Sequence, residues 1–183
     1  FRKFVIMRTL LLVSALSPPF LVVLAAAGGA GLSGLGTFVI AQGLARLIGG
    51  RWFGQLADRS SRQLMAWGAL IASLLIVSVL LLRMLPGLTE SVWLYGGAFF
   101  LLALIHTGVR VGRKTYIIDM AEPEQVTDSA ALSSTVMGLL LVTGAVNAAL
   151  ALISTEAALL FLALLGIAGF IVARSMPEVH RTE

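Results

Sequence analysis

Arg46 sits midway along an apolar stretch, where a guanidinium costs about 3 kcal/mol in hydrocarbon and is retained for what it contacts. Gln42 lies one turn before it, and Gly49 and Gly50 one turn after, so one helix face is polar or small. Such a face can bind an anionic group or gate a path, or the arginine can hydrogen-bond carbonyls of a neighbouring helix. Thr135, Thr143 and Asn147 share a second polar face in another apolar run. They can touch a solute, or join helices by hydrogen bonds worth about 0.6 kcal/mol each. His106, one turn from Arg110, is either a proton relay or an interfacial histidine. No Asp or Glu falls in the middle of an apolar run, so a proton-coupling carboxylate would have to come from elsewhere.

The elements that carry these residues are membrane spans. Hydrophobic residues make up 58% of the 183 and charged residues 12%, against roughly 25% charged in a soluble domain. A soluble domain of this size cannot hide that much apolar surface, so lipid is the expected surround. The net charge of +4 does not mark a nucleic-acid binder, because the basic residues are scattered between apolar runs and form no aromatic-laced face. Cysteine is absent, which removes disulfides, thiolate chemistry and cysteine-ligated metals. No cofactor or metal is expected, and no catalytic residue.

A spanning helix needs about 20 mostly apolar residues. The uncharged run from Thr9 to Ala45 is too long for one, and the glycine cluster from Gly28 to Gly34 divides it. The pattern predicts six spans: Phe4 to Ala27, Leu35 to Ala57, Leu64 to Leu82, Ser91 to Val109, Asp128 to Leu152 and Glu156 to Ala173. The expected fold is an all-α six-transmembrane-helix bundle forming one domain over 1–183. Pro18-Pro19 is expected to break the first span, and Gly50 and Gly54, at Gly-x-x-x-Gly spacing, to pack helices.

One side of this layout collects Arg2, Lys3, Arg8, Arg51, Arg59, Arg62, Arg110, Arg113, Lys114, Arg174 and Arg181, eleven of the 13 basic residues. The positive-inside rule makes that side, with both termini and the loops 58–63 and 110–125, cytoplasmic. Residues near Leu88 are then outside.

The segment from Gly54 through Asp58-Arg59-Ser60-Ser61-Arg62 resembles the signature of the major facilitator superfamily, a glycine and an Asp-Arg pair followed by basic residues after a second helix. Gly54, Asp58, Arg59 and Arg62 stand at motif positions, while Ser61 replaces a usual glycine and Gln63 a usual basic residue. The stretch from Arg110 through Arg113 to Met120, followed by Thr127 to Gly138, looks like the cytoplasmic loop and next helix of bacterial permeases in that superfamily. The resemblance implies half of a twelve-helix fold, built of two three-helix inverted repeats at about 1–86 and 87–183. It also implies a secondary active transporter in a bacterial inner membrane, moving a small solute by rocker-switch alternating access. Gly54, Asp58, Arg59, Arg62 and Arg113 would form its conformational-switch loops, and the missing six-helix half of the same polypeptide would be its partner. Phe1, in place of an initiator methionine, and the tail from Pro177 to Glu183 favour a fragment from the C-terminal half.

Two other classes compete. Gly31-Leu32-Ser33-Gly34 matches the Gly-x-Ser-Gly pattern of rhomboid intramembrane proteases. Those proteases place the serine late and the histidine after it, whereas Ser33 falls in the first outer loop and His106 on the fourth span. A serine without a positioned base is no nucleophile. A non-transporting membrane scaffold is the third class.

Overall fold

Glycine and serine punctuate the apolar runs and set the helix ends. In a computed structural model of the chain the described residues are 6–7, 9–29, 32–85, 87, 91–120 and 126–176; of these, 12–14, 32–33, 92, 117–120 and 126–137 are described in backbone alone. We number the helices α1 (Leu12–Ala27), α2 (Leu32–Leu82), α3 (Val92–Met120), α4 (Val126–Ile153) and α5 (Thr155–Arg174). After α1 the chain turns through Gly28 and Gly29, and Gly29 takes φ of 92°, a conformation that a side chain disfavours. Ser154 is extended and its Oγ accepts from the Ala157 N–H at 2.9 Å, capping α5. Ser91 does the same for α3 through the Leu94 N–H at 3.3 Å.

The third such serine lies inside α2. Ser60 has φ −163° and ψ 95°, extended backbone between two helical arms, 32–59 and 61–82. Its Oγ accepts from the Gln63 N–H at 3.2 Å, so Ser60 acts as the N-cap of the second arm, with Gln63 at the position a capping box uses.

The six-helix bundle and the twelve-helix plan it belonged to are corrected here. The chain is all-α, but the described residues form five helices. Three are long and apolar enough to cross a membrane: Gly34–Leu82, Trp93–Tyr116 and Thr155–Arg174. Among the residues whose side chains are described, Ala15–Ala27 and Gly138–Ile153 are shorter apolar segments. The physical reason is that polar residues at the expected surface loops still form helix. Asp58 to Gln63 stay helical apart from Ser60, and Arg110 to Met120 extend α3 instead of leaving it. Arg, Lys, Gln and Met are good helix formers, and a helix satisfies its own backbone at the edge of the bilayer. The expected break at Pro18-Pro19 is also absent, since α1 runs through both prolines. The apolar helices and the composition identify a membrane protein.

Side-chain pairings give the helix directions. Along the first arm, Phe38 tilts against Phe99 at 5.0 Å between ring centres. Farther on, Gly49 backs onto Leu104 and Thr107, and the Phe53 ring covers Gly108. The first arm and α3 therefore run parallel. Along the second arm the order reverses, with Ser61 and Met65 at Gly112 and Gly68 at Val109 and Ile105. α5 runs antiparallel to the second arm, from Arg83–Glu156 through Trp67–Phe170 to Arg62–Arg174. Small residues let these backbones approach, which drives helix association in lipid. The sharpest case is Gly68, where an added Cβ would lie 2.5 Å from Val109 Cγ2. Leu21, Ile76, Tyr95, Leu102, Leu159 and Leu162 fill the shared core. α4 stands apart: α5 is the only helix it packs against substantially among the described residues.

Candidate functional site

The first arm of α2 has two faces of opposite character. Gly34, Phe38, Ala41, Ala45 and Gly49 are buried against the rest of the bundle, and they recur at helical spacing. Gly36, Gly43, Arg46 and Gly50 lie on the other side, exposed, beside Val39 and Leu47 at 71% and 78% exposure. A Cβ added at Gly36, Gly43 or Gly50 would meet nothing within 4 Å among the described residues. Gln42 is exposed at the edge of this face. Gly49, read from sequence as a neighbour of Arg46 on one face, belongs to the packed side instead. Gly50 and Gly54 pack against nothing among the described residues; the glycines that make close contacts are Gly49, Gly68, Gly108, Gly112 and Gly169.

Arg46 is joined by residues distant in sequence. His106, half-buried on α3, lies within electrostatic reach of Arg46, Arg110 and Arg113. The sequence placed His106 next to Arg110 only. The link to Arg46 depends on helix pairing, which no local pattern reveals.

The signature segment forms the elbow of α2. Asp58 and Arg59 are exposed. Arg62 reaches across the bundle, and its Nη1 donates to the carbonyl oxygens of Arg174 at 3.3 Å and Met176 at 3.0 Å. It thereby holds the C-terminal end of α5, where unpaired carbonyls and the helix dipole both favour a cation. A Cβ added at Gly54 would meet nothing within 4 Å among the described residues. Arg113, on α3, is half-buried.

The second polar face lies elsewhere. Thr143 donates its hydroxyl to its own helix, at the Leu139 carbonyl, 2.8 Å. Asn147, one turn on, is 2% exposed, and its Oδ1 has no hydrogen-bond partner among the described residues. Because α4 packs on α5, helix packing does not bring these two residues to Gln42 and Arg46. The side chain of Thr135 lies outside those described, as do those of Ser33, Asp119 and Asp128; Leu88 and Gln125 are outside the described residues altogether.

Two features were missed from sequence. Arg83 and Glu156, 73 residues apart, pair at 2.6 Å at the end of the bundle opposite the elbow. Arg174 stands with its guanidinium carbon 5.7 Å from the Phe170 ring centre. Two cavities also meet at the elbow. One, of about 390 Å³, is lined mainly by Phe53, Leu56, Leu64 and Ile71, with Arg59 and Gln63 at its polar edge. The other, of about 350 Å³, is lined by Arg62, Gln63, Ala66, Trp67, Phe170 and Arg174. Among the described residues, no group of three His, Asp or Glu side chains is placed to hold a metal ion. Comparison with family models, curated proteins and solved structures finds no match to this chain.

Proposed function

We propose that the chain is part of a secondary active transporter that moves a small solute across a bacterial inner membrane by alternating access. In this reading the Gln42, Gly43, Arg46 and Gly50 face of α2 lines the solute path, opposite a complementary membrane domain. The carrying observation is Arg46: a cation midway along an apolar arm, on an exposed face rather than in the packed seam. In lipid that position is costly. Against a polar path it is not, and the open glycines around it leave room for a solute or a second domain. The charges of Arg46, Arg110 and Arg113 around His106 suit an anionic solute or an acidic gating partner.

Asp58 supports the same reading. It is exposed at the elbow, where a partner across a moving interface would find it. The resemblance at Gly54 to Arg62 lends support to the transport class alone, since the architecture it implied is not the one found. Basic residues at the elbow end, Arg59, Arg62, Arg110, Arg113, Lys114 and Arg174, favour that end as cytoplasmic.

Site-directed labelling tests the path. The chain has no cysteine, so Gly43→Cys and Gly50→Cys can be probed singly in native membranes with a water-soluble maleimide. Both should react, while Leu164→Cys, exposed on the apolar surface of α5, should not. If Gly43→Cys and Gly50→Cys are as inert as Leu164→Cys, the face is lipid-covered and the transport reading loses its basis.

A further inference from the structure

We propose that the exposed face of the first arm of α2 docks a transmembrane helix from outside these 183 residues, one that carries an aspartate or glutamate at mid-span to pair with Arg46. This rests on the transport reading above and gives the chemistry of the complementary domain.

Gly36, Gly43 and Gly50 recur at seven-residue intervals, and Val39 and Arg46 each follow a glycine by three residues. These are the a and d positions of a heptad, and all five residues are exposed. A strict seven-residue repeat keeps one seam turned toward a partner helix that crosses it at about 20°. The chain itself does not use this seam among the described residues, because its packed residues Phe38, Ala41, Ala45 and Gly49 lie on the opposite face. Glycine at every a position leaves notches that side chains of an incoming helix can fill.

Charge decides which helix fits. Arg46 holds the d position between Gly43 and Gly50, fourteen residues or about 21 Å along the arm from Ser60. Among the described residues no hydrogen bond or ion pair engages its guanidinium. The acidic side chains that are described lie away from it, Asp58 at the elbow and Glu156 with Arg83. Asp119 follows Thr107, the neighbour of Gly49, by twelve residues of α3, or about 18 Å. Asp128 is near the start of α4, which packs substantially on α5 alone among the described residues. The remaining carboxylates fall in sequence beyond the helix ends.

Hydrocarbon offers an arginine at this depth no counter-charge. A parallel second copy would set Arg46 against its own twin. An antiparallel copy would put basic ends on both sides of the membrane, against the positive-inside rule. A carboxylate fits, because guanidinium can take it through two parallel bonds. Gln42, one turn back, adds an amide donor on the same flank.

Designed peptides supply the probe. Three spanning peptides of leucine and alanine, with glutamate, glutamine or lysine at the centre, are mixed with the purified full chain in zwitterionic bicelles. Energy transfer from the three tryptophans of the chain to a dansyl group on the peptide reports association. The glutamate peptide should bind about tenfold more tightly than the glutamine peptide, the size of an interhelical polar contact in model peptides. The lysine peptide should bind more weakly than either. Arg46→Leu should abolish the preference for glutamate and Arg46→Lys should keep part of it, while Arg51→Gln should leave it intact. Gly43→Leu, which fills the central notch, should weaken all three peptides.

Equal binding of the glutamate and glutamine peptides would overturn the carboxylate. A preference that survives Arg46→Leu would overturn Arg46 as its partner, and an equal loss from Arg51→Gln would reduce the effect to overall charge. Full binding to Gly43→Leu would overturn the glycine seam. The cysteine labelling described above separates partner from path. Reactive Gly43→Cys and Gly50→Cys with a peptide that does not discriminate would overturn the partner and leave the path. Inert cysteines with a discriminating peptide would support the partner and remove the water-filled path.

Discussion

Arg62 and Arg174 are 112 residues apart, yet one nitrogen of Arg62 donates to the Arg174 carbonyl and, at 3.0 Å, to that of Met176. This contact ties the start of the second arm of α2 to the end of α5. Hydrogen bonds that involve a charged group contribute about 1.5–3 kcal/mol, and partial exposure here points to the lower end. Arg62→Gln should therefore lower the unfolding free energy by about 1.5 kcal/mol, measured by denaturant titration in mixed micelles. Arg62→Lys should recover less than half, because an ammonium lacks the planar fork. An unchanged midpoint in Arg62→Gln would mean that the contact contributes nothing to stability.

At the far end of the same helix pair, Arg83 and Glu156 form the matching tie. The acid also occupies the first turn of α5, where the helix dipole favours it. The pair is partly exposed, at 19% and 46% for the two side chains, so a coupling of about 0.5–1 kcal/mol is expected. A double-mutant cycle with Arg83→Gln and Glu156→Gln measures it. The double mutant should cost little more than the worse single, and fully additive losses would show that the contact contributes nothing.

The glycines separate close packing from open surface. Gly68→Ala drives a methyl to 2.5 Å from Val109 Cγ2, and overpacking of this kind costs about 1–3 kcal/mol. Gly50→Ala meets nothing and should stabilise the isolated chain by up to ~1 kcal/mol through helix propensity. Thermal unfolding of the two variants should move in opposite directions. A shared direction would mean that the α2–α3 seam is loose enough to absorb the methyl.

These contacts mark where the sequence was legible and where it was not. Membrane character and all-α content followed from apolar runs, because hydrocarbon leaves a spanning chain few alternatives. The turn at Gly28-Gly29 was legible because glycine there is required by φ. Continuity through Asp58–Arg62 and Arg110–Met120 was not, since charged residues at a membrane surface suit a helix end and a loop equally well. Ser60 illustrates the point: its capping spacing to Gln63 was present in the sequence, but the family-like Asp-Arg pair beside it drew the reading toward a loop. Of the candidate residues, Arg62 acquired a partner only through tertiary pairing, and Arg46 a neighbour in His106 by the same route. Thr143 was spent on its own helix, a local bond that the Thr-to-Leu139 spacing allowed but did not require.

Arg46 joins the stability of the chain to its proposed use. On the exposed face of the first arm the guanidinium faces detergent or lipid in the isolated chain, and removal of a cation from that depth is worth about 2.5–3.5 kcal/mol. Arg46→Leu should therefore stabilise the purified protein, and Arg46→Lys should leave it nearly unchanged. In native membranes the same leucine should dry the face it shares with Gly43 and Gly50, so that maleimide labelling of Gly50→Cys slows when Arg46→Leu is present and persists with Arg46→Lys. The two readouts together are discriminating. A structural arginine, held by carbonyls of its own bundle, would give the opposite stability result, because its loss would leave those acceptors unpaired. Destabilisation by Arg46→Leu with unchanged labelling at Gly50 would move Arg46 from the solute path to the scaffold.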